Sequence, residues 1–412
     1  MEKLAADGGT PVWAKGWPSW PIADEREVEA ITRVVREAKW WRNSLGQATQ
    51  EVGDELPSNW GEVATFQKRF AAWHDCRYGV ACTSGTTALQ VGLRALGVKP
   101  GHEVIVPAYT FIATASAPAL LGAKPVFVDM EPDTCNIAPG RVSEAITAKT
   151  KAVVPVHMAG QPADMDAINE IARAHGLLVL EDAAQAHGAS YKGRKCGSLG
   201  DAGAFSFQVS KNVSGGEGGI VTTNDLNTAE MCDSLVWVGR KKDDPWYGHH
   251  YLAGNARMTE FQGALLNVQL TRLEQQMARR TANARLLDKL LSGIEGIEPL
   301  LPHPNTTAHA YHLYAFRYRL EPFGGWTKER FVEVVNAEGI PVMAGYATPL
   351  YRQPALAELI PNVEELAARC PVSEQACRDT VWIAQTVLLA EEEAMHAIAE
   401  GIAKVRRAAA KA

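Results

Sequence analysis

No stretch of the chain reaches the roughly 18 uninterrupted apolar residues that a membrane helix needs, and the opening Met1-Glu2-Lys3-Leu4-Ala5-Ala6-Asp7-Gly8-Gly9 lacks the apolar core of a secretory signal. A cytoplasmic protein with no membrane partner is expected. Cysteine is scarce and scattered: the seven at 76, 82, 135, 196, 232, 370 and 377 are odd in number and never spaced Cys-x-x-Cys. That excludes a disulfide framework or a zinc ribbon and leaves reduced thiols. Excess positive charge is absent too, with a formal net charge of −6 and a pI near 6.0, so nucleic acid is not an expected partner. Two nucleotide motifs fail. Gly188 to Gly193 runs into Arg194-Lys195-Cys196 without the Lys-Ser/Thr of a phosphate loop, and no Gly-x-Gly-x-x-Gly follows a strand-like run. There is no internal repeat and no low-complexity linker.

What is present is a globular composition, 46% hydrophobic and 21% charged, in a chain of 412 residues. That length exceeds what one core usually supports, so two domains are expected. From Glu103 to Thr223 short apolar runs alternate with amphipathic ones, as in a buried, mostly parallel sheet with crossover helices. Strands are predicted at Glu103 to Val106, Pro125 to Asp129, Ala152 to Val156, Leu177 to Glu181, Ala202 to Phe207 and Gly219 to Thr223. The clearest helix starts at a capping Asp164, repeats Met165, Ile168, Ile171 and Ala172, and stops at Gly176. From Thr259 to about Ile294 one long helix or two joined ones leave this α/β unit. The expected division is 1–258, a large domain with an N-terminal arm, and 259–412, a smaller α+β domain. The latter has strand-like text at Tyr311 to Leu320, a helix at Thr327 to Ala337, and a last helix from about Glu391 that frays in the Ala/Lys-rich end.

The chemistry concentrates in three places. Thr83-Ser84-Gly85-Thr86-Thr87 precedes helical text at Leu89 to Leu96, so small residues stand where free N–H groups can meet an anion. Alone, this reads equally as an ordinary N-cap. Asp182 ends an apolar strand and is followed by Ala183-Ala184-Gln185-Ala186-His187-Gly188, at the strand end where open α/β sheets bind ligands. A lone Asp there would be a turn cap. Lys211 follows Phe205-Ser206-Phe207-Gln208-Val209-Ser210 and precedes Gly215-Gly216-Glu217-Gly218-Gly219, where glycines allow close backbone approach. A surface lysine is the bland alternative. Together an amine nucleophile, a carboxylate and an anion site suit pyridoxal 5'-phosphate: the amine forms a Schiff base and the carboxylate faces the ring nitrogen.

In order, SGTTAL at 84–89, PAYTFIAT at 107–114, PVFVDM at 125–130, VPVHMAG at 154–160, LEDAAQAHGA at 180–189, GDAGAFSFQVSK at 200–211, GEGG at 216–219 and NARMTEFQGA at 255–264 resemble the DegT/DnrJ/EryC1/StrS aminotransferases across nearly the whole chain. The resemblance implies a fold-type I transferase acting on keto sugars and keto cyclitols with L-glutamine or L-glutamate as amino donor. It implies that Lys211 links to the cofactor, Asp182 pairs with the ring nitrogen and Gln185 bonds the ring hydroxyl. Phe111 would stack on the ring, unless it is a core residue. Gly85, Thr86 and Ser206 would hold the phosphate, with Asn255 reaching it from a second subunit of a homodimer.

Relatives with His in place of the lysine are dehydratases, so Lys211 favours transamination. Gln208 stands where many sugar-nucleotide members carry His. With Trp17-Pro18-Ser19-Trp20-Pro21 and Cys370-Pro371-Val372-Ser373-Glu374 it resembles the scyllo-inosose aminotransferases of aminocyclitol antibiotic biosynthesis, and aminohydroxybenzoate synthases share it. Three alternatives stay open: an aminotransferase on a nucleotide-linked sugar, a dehydratase or aminohydroxybenzoate synthase, and a cofactor-binding regulator without turnover. The absence of an appended basic DNA-binding segment counts against the last. Arg42 to Trp60 and Lys241 to Leu252 depart from the pattern and, if they border the site, would choose the substrate. His249 and His250 lack the further spaced ligands of a metal site.

Overall fold

The computed structural model describes residues 3–41, 45–55, 60–242, 244–245 and 247–410. Its large sheet holds seven strands, β1 (Tyr78–Cys82), β2 (Glu103–Pro107), β3 (Lys124–Val128), β4 (Thr150–Val153), β5 (Leu178–Asp182), β6 (Ala202–Ser206) and β7 (Gly219–Thr223). Their order is β1-β7-β6-β5-β4-β2-β3. Neighbours from β6 through β3 are parallel, and β7 alone runs against the rest. The six predicted strands are present within a residue or two, apart from the third, whose predicted end at Val156 overruns Val153. Tyr78–Cys82 went unread as a strand because it lies outside the alternating region.

Alternation explains how the sheet is buried on both faces. Val80, Val104, Leu180 and Ala204 point into one core, whereas Ala81, Ile105, Val179 and Phe205 point into the other. Helix α1 (Glu25–Glu37) and helix α2 (Glu62–Trp73) pack against α4 (Glu260–Leu270) on one side, and α3 (Gly85–Ala95) covers the other. The expected helix from Asp164 is Met165–His175, capped by the Asp164 side chain and closed by Gly176 in the left-handed region. The predicted helical stretch after Thr259 splits into α4 and α5 (Leu273–Leu291). No helix of the described residues is long and apolar enough to cross a membrane.

A smaller antiparallel sheet has the strand order Ile297–Pro299, Leu313–Tyr318, Thr380–Ala384, Val342–Met343. Its core gathers Leu287 and Leu291 of α5, Phe316, Phe331, Ile398 and Ile402. Packing departs from the expected division in two ways. Leu266 and Leu270 of α4 belong to a core of the large sheet, although they follow residue 258. The N-terminal arm, by contrast, lies on the smaller core through Leu4, Trp13 and Trp17. Buried Glu338 fixes it, accepting from Ala5 N (2.8 Å) and Val12 N (3.2 Å) and pairing with Lys404 (2.8 Å). Among the described residues the Ala/Lys-rich end is not frayed: Glu392–Ala409 is helical and Ala409 is buried.

The two bodies are joined where β3 ends. Buried Asp129 accepts from Val372 N (2.9 Å), Ser373 N (2.8 Å) and Ser373 Oγ (2.7 Å), holding the first turn of helix Pro371–Asp379. A carboxylate at a helix start meets both free N–H groups and the dipole. Asp129→Ala is therefore expected to lose about 2–3 kcal/mol of stability, read as a lower melting temperature, with Asp129→Asn retaining part of it.

Candidate active site

Strand register brings the predicted residues to one edge. Cys82 and Ser206 both sit opposite Gly219, and Asp182 sits opposite Ala204, so α3, Ser206 and Asp182 converge at the carboxyl ends of parallel strands. The approach is close enough to require glycine. A Cβ on Gly85 would stand 2.5 Å from Ser206 Cβ, and one on Gly219 would stand 2.2 Å from Ser84 O. Ser84 caps α3 by accepting from Thr87 N (3.1 Å). The N–H groups of Gly85 and Thr86, residues that line a cavity, have no intrahelical acceptor at that position.

That cavity, about 720 Å³, is also lined by Phe111, Asp182, Gln185 and Lys211. Seven of the eight predicted site residues therefore share one space. Phe111 is 58% exposed, which removes the core alternative for it. Asn255 is the exception. It lies on an exposed segment bridged to Trp237, away from the cavity of its own chain, with its side chain accepting from Arg257 N (3.3 Å).

The charges are set by burial. Lys211 is pushed down to about 8 by loss of water, against the pull of the Asp182 carboxylate. Asp182 is buried, which raises its carboxyl. Hydrogen bonds from Thr114 Oγ1 (2.8 Å) and Ala184 N (3.2 Å), together with the charge of Lys211, pull it back. Gln185 uses Oε1 to accept from Ala159 N (2.8 Å), which turns its amide N–H groups away from that backbone.

Glu181, one residue before Asp182, points to the opposite face of the strand. It accepts from Gly197 N (2.7 Å), Leu199 N (2.7 Å), Gly200 N (2.8 Å) and His157 Nε2 (2.8 Å), while His157 Nδ1 accepts from Ala163 N (3.1 Å). His157, Glu181 and Cys196 are close enough together to resemble a metal site. The imidazole and the carboxylate are already spent on hydrogen bonds, so the group serves to fix the strand end that carries Asp182.

Several lining residues were not singled out from sequence. Thr114 stood inside the PAYTFIAT run and Trp20 inside the early tryptophan motif, and both touch the site. Tyr346 and Trp382, rings 4.7 Å apart, come from the smaller body, where no spacing links them to Lys211. The divergent segments do not line this cavity among their described residues. Gly46 N donates to Asp233 (2.7 Å), and Leu45, Lys241, Lys242 and Tyr251 border a separate depression. His249 bonds Val238 O (2.9 Å) and His250 pairs with Asp244. Arg42 to Ser44, Leu56 to Asn59, Asp243 and Trp246 lie outside the described residues. If burial governs Lys211, its reaction with an amine-specific label in cofactor-free protein will rise with a midpoint near pH 8. Surface lysines titrate at about 10.4, and that midpoint for Lys211 would refute the account.

The model of the DegT/DnrJ/EryC1/StrS aminotransferase family matches residues 44–402. The 3-amino-5-hydroxybenzoate synthase of Amycolatopsis mediterranei (strain S699) is 38% identical over 398 residues, spanning 95% of this chain and 97% of that protein. The L-glutamine:2-deoxy-scyllo-inosose aminotransferase of Streptomyces kanamyceticus is 37% identical over 423 residues, spanning 98% and 96%. The crystal structure of 3-amino-5-hydroxybenzoic acid synthase aligns with a TM-score of 0.87 at 37% identity, over 96% of this chain and 100% of that one. With its sequence matched nearly end to end and its sheet edge built around Lys211 and Asp182, the chain belongs to the DegT/DnrJ/EryC1/StrS aminotransferase family.

Proposed function

We propose that the protein uses pyridoxal 5'-phosphate to move an amino group from L-glutamine or L-glutamate to a ketone on a free six-membered carbocycle, in aminocyclitol formation. The observation that carries this is the meeting of Lys211, Asp182 and the start of α3 in one cavity. The fit to the cofactor rests on its donor set. The N–H groups of Gly85 and Thr86 with Ser206 Oγ suit a phosphate, and no side chain at Gly85 stands in the way. Asp182 suits a protonated ring nitrogen, Gln185 can donate to a ring oxygen, and Phe111 offers a flat face.

When bound, pyridoxal 5'-phosphate supplies an aldehyde that takes up the amino group and a ring that stabilises charge at the donor's α-carbon. Lys211, with its amine lowered to about 8, is neutral in part of the molecules near pH 7. It can therefore accept the α-proton at Nζ and hold it for return on the cofactor side of the transferred nitrogen. Asp182, ionised beside a cation, keeps the ring protonated. Phe111, Tyr346, Trp382 and Trp20 present flat apolar faces to the remaining volume. Among the described lining residues Lys211 is the sole Lys or Arg, which suits an uncharged polyol ketone better than a nucleotide-linked sugar with its diphosphate. The similarity to a 2-deoxy-scyllo-inosose aminotransferase supports the same substrate class.

The homodimer is part of this proposal, with Asn255 reaching the partner's phosphate. Its support is the apolar surface around Asn255: Trp41, Tyr247 and Leu252 are 54%, 77% and 92% exposed, and the Trp41 ring lies 5.8 Å from Trp237. Exposed apolar surface of this kind favours association.

Two outcomes test the proposal. Protein loaded with pyridoxal 5'-phosphate should show a visible absorbance band that bleaches with L-glutamine, and Lys211→Ala should not bleach at a comparable rate. A wild-type turnover rate in Lys211→Ala would sink the assignment. Mixing inactive Lys211→Ala with weakly active Asn255→Ala after dissociation should restore activity, because a hybrid dimer regains one intact site. No recovery would mean that Asn255 does not act across subunits.

A further inference from the structure

Helix α5 carries two adjacent arginines with opposite fates. Arg279 reaches the surface and pairs with Glu391. Arg280 is 0% exposed, and no carboxylate of the described residues forms an ion pair with it. Its Nε donates to Gln385 O (3.3 Å) and Gln385 Oε1 (3.1 Å), and its second terminal nitrogen donates to Gln385 Oε1 and Gln276 Oε1 (3.4 Å). The remaining terminal nitrogen has no partner. The guanidinium also lies 5.6 Å from the centre of the Trp20 ring. Burial lowers its pKa to about 9, so it is charged at neutral pH, while buried His187 and His312 beside it are held neutral.

A buried cation is costly unless an anion offsets it. Here every protein partner is neutral. Its neighbours Gln385 and Trp20 belong to the cavity wall, together with Ser210 and Thr386. With Oε1 turned to Arg280, the Gln385 amide nitrogen is turned the other way, and its one acceptor among the described residues, Ser210 O at 3.5 Å, is at the limit of a hydrogen bond. A positive charge thus stands immediately behind a loosely bound donor. This corner adjoins Lys211 but is distinct from the helix start that suits the phosphate.

We propose that Arg280 is the positioning residue for the α-carboxylate of the amino donor: the carboxylate accepts from Gln385 Nε2 at the Trp20–Ser210–Gln385 corner, and the guanidinium behind supplies the offsetting charge. The inference rests on the aminotransferase reading. It explains how a wall without a second cationic lining residue still holds the carboxylate of an amino acid in one half-reaction and an uncharged ketone in the other. The carboxylate arrives with the donor and leaves with the keto acid, so the uncompensated charge returns between half-reactions.

The experiment compares L-glutamine with its α-amide, which keeps the side chain and lacks the carboxylate, on holoenzyme carrying Arg280→Gln or Arg280→Lys. Arg280→Gln should lower kcat/KM for L-glutamine about 30-fold through KM. The α-amide and the KM for the ketone should change less than about threefold, and Arg280→Lys should recover most of the loss. Calorimetric titration with glutarate, an unreactive dicarboxylate, gives a second readout: binding to wild type that competes with L-glutamine and is lost in Arg280→Gln. Equal loss for L-glutamine and the α-amide would overturn the proposal and leave Arg280 a packing residue. If Arg280→Gln does not fold, Gln385→Leu must give the same selective loss of L-glutamine, and unchanged discrimination there overturns it too. Wild type that deaminates no amino acid would overturn the aminotransferase reading instead, and glutarate binding would separate the two failures.

Discussion

The contact on which the site depends is the approach of the Ser84–Gly85 backbone to Ser206 and Gly219. Two missing side chains allow a helix start to lie directly on the ends of strands β6 and β7, which no larger residue would permit without moving the helix. That single approach sets the distance between a helix terminus with free N–H groups and the turn carrying Lys211. Because β7 returns antiparallel with no crossover helix after Ser206, the lysine rides on a short connection rather than a flexible excursion. Both ends of this connection are held by sheet hydrogen bonds, Phe207 N to Gly218 O at 2.8 Å among them.

Charge in the cavity is managed by dividing it into places with different compensation. Asp182 is buried yet supplied with two donors, and its strand end is clamped from behind by the Glu181–His157 network. Lys211 is left with a lowered proton affinity and Arg280 with no ion-pair partner among the described residues. A fully paired arrangement would be more stable and chemically inert. The unpaired one stores a preference for ligands that bring negative charge, as functional sites commonly do at some cost in stability.

Where local pattern determined structure, the sequence was readable. Asp164 and Gly176 bound a helix, alternating cores followed from strand runs, and seven of eight site residues met in one cavity because each sat in a motif tied to a strand or helix terminus. Contacts between distant segments were not readable. Nothing near Tyr346, Trp382 or Gln385 announces a partner more than a hundred residues away, and only the register of the smaller sheet brings them over Lys211. Arg280 looked like any arginine of an amphipathic helix, since periodicity reports a face and not whether a neighbour will be acidic. The N-terminal arm misled for a related reason: tryptophans at 13 and 17 pack on a body formed almost entirely by the other end of the chain.

That arm gives the smaller body a discontinuous origin, with consequences for the order in which the molecule can be completed during synthesis. Thr10 O accepts from Lys404 (2.9 Å) and Ala5 N donates to Glu338, closures spanning 394 and 333 residues. The large sheet can form from contiguous chain as it leaves the ribosome, but residues 4 to 17 have no docking surface until the last helices emerge. Trp20, immediately downstream, forms part of the cavity wall and covers Arg280. The substrate-facing side of the site is therefore assembled from the first segment made and the last, and a nascent chain has a seat for the cofactor before it has a wall to hold the donor.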